Sequence, residues 1–407
     1  MFISSNQTNK VCSALLAACI IVLNLQNGLV EVVCAITLLY AISTAIQNKE
    51  IVLLKSPLLW LIVILWIYMI IVSSISDYPK NAINNALPAL RLPLFSLAVG
   101  YLLYLNQALL NRLLVITAAI SFLISINAII QFYTGIDIFG NKSFSNGIII
   151  RLTNLHGKLQ VGYTLSIFAA LISGYLATLL KAQSINKTLI ALISASLITT
   201  FIAVLLSGER APFILITATL LILGLYSFKL RISIPILIVV FLSLGAYVNN
   251  NPHIKYRLID NTQIELTNFF KSSSYGMIYS NSFEIIEHHN PIYGSGAKSF
   301  KDVCLSHKVP FPDYCAHHTH NLYLEILVAG GVPAIVIFML IVILALKNMA
   351  LYITHNRDNY IYISSTSYIA LKLLPIIPSP SVYIAWASYP IAFVCGILVY
   401  FHLKKTT

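Results

Sequence analysis

The segment Ala316-His317-His318-Thr319-His320-Asn321-Leu322-Tyr323-Leu324-Glu325 closes a long polar stretch and opens an apolar one. Three of the chain's ten histidines fall within four positions there. Imidazole titrates near neutral pH, so a histidine can take the proton of an attacking hydroxyl. His320 is therefore a candidate general base, with His318 as a second catalytic candidate. His317 is adjacent but would point differently on a helix or turn, and His288 and His289 read as surface residues. His318 and His320 could ligate zinc, but no acidic or cysteine partner stands at supporting spacing, so no metal is expected. Asn321 has the side chain of a helix N-cap. Glu325, one turn and a residue beyond His320, could orient a ring nitrogen, pair with an arginine or line a water-filled crevice. Isolated in lipid it would be costly.

A second set of candidates is cationic. Arg91 stands before Pro93, Arg151 and Lys158 precede the apolar run near residue 159, and Arg210 precedes Pro212. Each marks the start of an apolar run. A helix N-terminus carries partial positive charge, so a cation there costs about 0.3–1 kcal/mol. An anion held between the helix starts and these side chains would resolve the conflict. Pyrophosphate suits, because arginine binds phosphate oxygens bidentately. Arg210 sits in the polar break Ser207-Gly208-Glu209-Arg210 between two long apolar runs. Two readings stay open: a hairpin turn whose arginine snorkels and pairs with Glu209, or an anion site. Lys372 lies inside or near the end of another apolar run, where a lysine either marks function or snorkels outward.

Membrane helices must position these residues. The chain has 407 residues, 58% hydrophobic and 9% charged, with mean hydropathy +0.85. Soluble domains carry roughly 25% charged residues. The apolar runs predict an all-α, polytopic bundle of about twelve membrane helices. They fall near 12–26, 28–46, 57–74, 91–106, 113–133, 159–180, 188–206, 211–227, 232–248, 322–346, 359–377 and 382–402. An even count places both termini on one side. The short segments of that side hold Lys10, Lys49, Lys55, Arg112, Lys181, Lys187, Lys229, Arg231, Lys347, Arg357, Lys404 and Lys405. Both termini are therefore expected in the cytoplasm. Leu15 to Leu25 is apolar, but no small-x-small cleavage site follows, so the first span is expected to stay. The net charge of +12 follows from membrane topology, and no nucleic-acid-binding pattern is present.

Three regions result: residues 1–248 with helices one to nine, a large outer loop over 249–320, and helices ten to twelve over 321–407. Ser76–Leu90 and Thr134–Gly157 form shorter outer loops. In the large loop Lys255, Arg257, Lys271, Lys298, Lys301 and Lys308 balance Asp260, Glu265, Glu284, Glu287, Asp302 and Asp313. Asn249-Asn250-Asn251-Pro252 opens it with a turn signal. Residues 277–289 predict a helix with Ile278, Phe283, Ile285 and Ile286 available for burial, ended by Asn290-Pro291. The expected form is a small helical cap over the bundle. Cys304 and Cys315 fall in this loop, and a disulfide in an oxidising compartment or two free thiols are both open. Cys12, Cys19, Cys34 and Cys395 read as apolar packing residues. Gly330-Gly331 with Pro333 interrupts the tenth helix and permits a kink.

Several of these motifs share a resemblance. His320-Asn321 with Leu324, followed by Gly330-Gly331-Val332-Pro333, resembles the His-Asn-x-x-Leu…Gly-x-x-Gly signature of the O-antigen ligase and polymerase superfamily. Ser207-Gly208-Glu209-Arg210-Ala211 resembles its Ser/Thr-x-Arg-Gly/Ala motif at an outer helix start. Asn290-Pro291-Ile292-Tyr293-Gly294-Ser295-Gly296 resembles its Asn-Pro-x-x-Gly-x-Gly loop, and Arg151-Leu152-Thr153-Asn154 resembles the opening of its middle loop. The resemblance covers roughly residues 145 to 340. One position departs: the family has an arginine about fifteen residues before the Asn-Pro pair, where this chain has Tyr275-Gly276-Met277-Ile278.

The resemblance implies a bacterial inner-membrane transferase of glycosyltransferase-C type with a periplasmic active site. Its donor would be a glycan on undecaprenyl pyrophosphate, and membrane lipids would surround it. The acceptor would be a sugar hydroxyl, on lipid A-core for a ligase or on another lipid-linked glycan for a polymerase. His320 would accept the proton, and Arg210, Arg151, Arg91 and Lys158 would hold the departing pyrophosphate, without metal or cofactor. A protein O-oligosaccharyltransferase is a third option. A transporter, in which Glu31 and Lys372 would matter most, is the alternative from another class.

Overall fold

The computed structural model describes residues 5–25, 28–50, 56–145, 150–155, 159–182, 186–227, 242, 244–288 and 291–406. Eleven of the twelve expected apolar runs are helices within these residues. They are α1 (Ser5–Leu25), α2 (Leu29–Gln47), α3 (Pro57–Ser74), α5 (Arg91–Leu105), α6 (Leu109–Thr134), α7 (Val161–Lys181), α8 (Lys187–Leu206), α9 (Arg210–Ser227), α15 (Leu322–His355), α16 (Tyr360–Lys372) and α17 (Ala385–Thr406). The other run, expected over 232–248, lies mostly outside the described residues, although 244–250 are helical. Short α4 (Pro79–Ala86) leads into α5. Nine of the described helices are long and apolar enough to cross a membrane. The chain is an all-α, multi-pass membrane protein.

The centre of the bundle is α7. Its residues from Val161 to Ser173 are buried on every face, and α6, α8, α9, α16 and α17 pack around it. Buried small and hydroxyl residues such as Gly162, Thr164, Ser166, Ser173 and Gly174 let its neighbours approach closely. Polar groups on it are paired: Ser173 shares a hydrogen bond of 2.9 Å with Ser364, and Ser166 one of 2.7 Å with Tyr368. The expected eleventh span, 359–377, ends early at Lys372. Pro375, Pro378 and Pro380 lie beyond it, and a residue preceding proline is pushed out of helical geometry. Residues 373–384 become a strap instead.

The break in α15 has a backbone cause. Gly331 adopts φ +66°, ψ −162° inside the helix. Pro333 has no N–H to donate to the carbonyl of Ala329, and that carbonyl accepts Gly296 N–H at 2.8 Å instead. The carbonyl of Val328 accepts Ser295 N–H at 2.8 Å, while Val332 N–H turns to the Pro291 carbonyl. The freed carbonyls thus become a dock for the 291–296 loop. A Cβ on Gly331 would overlap the Ile292 carbonyl oxygen, so glycine is required for both φ and space.

The loop helices are α10 (Pro252–Lys255), α11 (Asn261–Thr267), α12 (Phe269–Ser272), α13 (Ser274–His288) and α14 (Phe300–Ser306). Ile278 and Ile285 of α13 pack with Phe300, Val303, Cys304, Val309 and Val328 of α15. Phe283, expected inside, is 49% exposed. It lies five positions from Ile278, roughly 140° around the helix. Cys304 and Cys315 are bonded, with Cα atoms 5.5 Å apart, closing the cap against its own tail. One element was not expected: β1 (Phe144–Ser145) pairs antiparallel with β2 (Ile150–Arg151).

Gly331→Val is expected to cost about 1–3 kcal/mol in backbone strain alone and to undock the 291–296 loop. The check is the thermal midpoint and the size-exclusion profile of the purified variant. A profile and midpoint equal to wild type would remove the kink from the fold's requirements.

Candidate active site

The site starts at the turn between α8 and α9. Gly208 takes φ +72°, which a glycine adopts without a Cβ penalty. A Cβ there would meet the Ile150 carbonyl oxygen at 2.9 Å. Without it, β2 lies directly on the turn, and Leu152 N–H donates to the Ser207 carbonyl at 3.4 Å. The position that a Gly208 Cβ would take is 3.6 Å from Arg151 Cγ and 3.9 Å from Arg257 Cγ. Arg257 sits in the π-helical stretch Tyr256–Asp260 and donates from Nε to the Gly208 carbonyl at 3.1 Å. Arg210, two residues on, donates to Thr262 Oγ1 at 3.0 Å and to Glu265 Oε2 at 2.6 Å.

Three guanidinium groups therefore gather on one turn. Burial lowers the pKa of Arg257, and the charges of Arg210 and Arg151 lower it further. Arg151 Nε is buried without a hydrogen-bond partner. Beneath them, Glu209 accepts Gly162 N–H at 2.9 Å at the start of α7. Burial raises its pKa to about 7, against the pull of Arg151, the Gly162 and Tyr163 N–H groups and Arg257.

The histidines end the same large loop, at the start of α15. His320 adopts the left-handed φ of +55°, rare for a residue with a Cβ. Its carbonyl accepts Ser379 N–H of the strap at 2.9 Å. Its ring is 4.0 Å from the His318 ring and 5.4 Å from Tyr275, measured between centroids. Burial pushes the His320 pKa down to about 4. Burial, then the charges of His320, His317 and Lys298, push that of His318 down to about 3. Both ring nitrogens of His318 are buried without hydrogen-bond partners among the described residues. These imidazoles are neutral at pH 7, the form a general base needs. Tyr275 packs its ring against His320 and lies within electrostatic reach of Arg257.

The other expected residues divide. Asn321 is the N-cap of α15, accepting from Tyr323 N–H at 3.0 Å and Leu324 N–H at 3.1 Å, while its Nδ2 donates to the Pro375 carbonyl at 2.7 Å. Glu325 is buried, but it accepts Val382 N–H of the strap at 3.1 Å rather than holding a histidine or arginine. Arg91 is drawn elsewhere: it pairs with Glu31 at 3.0 Å and lies 5.8 Å over the Tyr389 ring, and neither belongs to the guanidinium cluster. Arg210 pairs with Glu265 and not with Glu209, which is taken by the start of α7. Lys158 lies outside the described residues. Arg257, Tyr275 and Glu265 are contributors that spacing did not single out. The one signal was Tyr275 itself, standing where the resembled family has an arginine.

A multi-pass helical protein thus carries a histidine and arginine site at the loop end of its bundle. Residues 195–339 match the family described as O-Antigen ligase. That match, over about a third of the chain, supports a likeness to the O-antigen ligase and polymerase superfamily. No curated protein matches. A solved chain, from work on structural coordination of polymerization and crosslinking by a peptidoglycan synthase complex, is similar over 86% of this chain and 97% of that chain. Its TM-score is 0.48 at 14% identity.

The pKa shifts set opposite pH trends. Below the ordinary histidine value of 6.5 the unfolded chain takes protons that His318 and His320 refuse when folded. Their contribution to stability is expected to fall as pH drops from about 6.5 toward 4. Glu209 does the reverse: the folded carboxyl holds its proton between about 4.5 and 7, so its contribution grows as pH falls through that window. Melting curves from pH 4.5 to 7.5 are expected to flatten on the acid side in His318→Gln and to steepen there in Glu209→Gln. Curves parallel to wild type in both variants would contradict these assignments.

Proposed function

We propose that the chain transfers a glycan from undecaprenyl pyrophosphate to a sugar hydroxyl of lipid A-core, at the periplasmic face of the bacterial inner membrane. The supporting observations are the gathering of Arg151, Arg210 and Arg257 at the Gly208 turn and a buried His320 whose ring packs on Tyr275, itself within electrostatic reach of Arg257. A base and a cluster of cations are the two groups that an inverting transfer from a diphosphate requires.

In this reading the acceptor hydroxyl oxygen attacks the anomeric carbon of the donor sugar. Its proton passes to His320. The bond from the anomeric carbon to the phosphate oxygen breaks, and its electron pair leaves on the undecaprenyl pyrophosphate. Arg210, Arg151 and Arg257 face the charge that develops on that oxygen. Attack opposite the leaving group inverts the anomeric centre. Arg257 takes the part that the resemblance assigned to an arginine nearer the Asn-Pro pair. Arg91, paired with Glu31 away from this cluster, takes no part in this step. A glycan polymerase would use the same groups on a second lipid-linked glycan.

His320→Ala is expected to abolish transfer with normal membrane abundance. Arg210→Ala and Arg257→Ala are expected to lower transfer about 100-fold or more, as losses of one charge-stabilising donor do. Arg210→Lys should restore it only partly, because the planar fork is lost. Wild-type rates in any of the alanine variants would remove that residue from the mechanism. The surface-polysaccharide profile of a deletion strain tests the reaction itself. Unsubstituted core with accumulated polymerised lipid-linked glycan is the expected result. Core bearing a single repeat unit would mean polymerase, and an unchanged profile would overturn both.

A further inference from the structure

Lys372 closes α16, and the structure puts its side chain where a snorkelling lysine would not go. The ammonium nitrogen is buried and has no hydrogen-bond or ion-pair partner among the described residues. It lies 4.6 Å from the centroid of the Tyr163 ring. The aromatic face and the carbonyl end of α16 attract a cation weakly. Neither supplies the full counter-charge that a desolvated ammonium requires. A residue buried in this way is held ready for something, or it is a defect.

Its surroundings decide between the two. Tyr163 is the residue whose backbone N–H, with that of Gly162, holds the Glu209 carboxylate beside Arg151. On the other side, the strap that begins at Leu373 is sewn to the histidine segment. The Leu373 carbonyl accepts the Tyr323 hydroxyl, the Pro375 carbonyl accepts Asn321 Nδ2 and Ser379 N–H reaches the His320 carbonyl. Lys372 thus sits against Tyr163, whose backbone helps hold Glu209, and at the head of a strap hydrogen-bonded to the histidine segment. An anion arriving there would supply the missing counter-charge. An ammonium suits a phosphate oxygen as a compact point charge, complementing the bidentate arginines.

We propose that Lys372 is a phosphate-binding residue of the donor site, reaching a prenyl pyrophosphate from the side of Tyr163 opposite the guanidinium cluster. This rests on the transferase reading given above. It adds a residue from α16, beyond the 195–339 span that carries the family match.

The test uses the purified full chain in detergent, with farnesyl pyrophosphate as probe and farnesol, inorganic pyrophosphate and phosphatidylglycerol as comparators. Lys372→Met is expected to melt higher than wild type without ligand, because an unpaired buried charge is gone. It should bind farnesyl pyrophosphate about tenfold or more weakly and farnesol unchanged. Lys372→Arg should keep most of the affinity. Wild-type affinity for farnesyl pyrophosphate in Lys372→Met overturns the proposal, as does a lower melting point or an aggregated product. An equal loss of phosphatidylglycerol binding assigns the lysine to lipid headgroups and overturns the donor role. Inorganic pyrophosphate competing as well as the prenyl compound would place a free anion there and overturn the lipid-linked donor. If wild type binds none of the phosphates while farnesol binds, the transferase reading falls together with this one. If Arg210→Ala loses affinity and Lys372→Met does not, only the lysine is dismissed.

Discussion

Like charges gathered at one place repel, and the site of this protein depends on holding three guanidinium groups together. Arg151, Arg210 and Arg257 converge on the Gly208 turn from a hairpin, a helix start and a π-helical loop. Each is restrained by a different neighbour. Arg257 is fixed by a backbone carbonyl, Arg210 by Thr262 and Glu265, and Arg151 lies beside Glu209. Only two carboxylates serve three cations, so the cluster keeps positive potential in a desolvated place, where a charge acts most strongly. The short Gly208 turn is what allows this, since any side chain there would push β2 off it.

The histidine side is built from the opposite problem. His318 and His320 must stay neutral, and they do so by burial, not by a carboxylate partner. Glu325, the nearest acid along the chain, faces the strap instead and helps fix residues 379–384. The left-handed backbone at His320 is over-determined by Ser379 N–H on its carbonyl and by the Asn321 cap that follows. Strain of this kind persists only where surrounding contacts enforce it.

Much of this was legible in the chain itself. The membrane helices follow from apolar runs, because the bilayer sets their length. The cap at Asn321 follows from its side chain, but the end of α16 at Lys372 was misplaced to residue 377, because the apolar run continues past Pro375 where the helix cannot. Arg151, read as preceding a helix, lies in β2, ten residues before α7, whereas Arg210 was legible because it opens α9. Arg257 was not, since it is one of several loop cations and gains its role only when the loop folds back on Gly208, 49 residues away. Tyr275 was visible as an anomaly, but its contact with His320 spans a fold that no local pattern encodes. Arg91 shared the helix-start pattern with Arg210 yet found Glu31, a partner set by packing of α2 against α5.

The bond between Cys304 and Cys315 also gives assembly an order. Such bonds persist in oxidising compartments and are rare in the cytoplasm. The large loop in which they lie, residues 249–320, also carries Arg257, Glu265 and Tyr275. A chain still on the reducing side of the membrane thus has its helices but lacks its sealed cap. On the reading proposed above, which puts this loop in the periplasm, the cap would be sealed only after export.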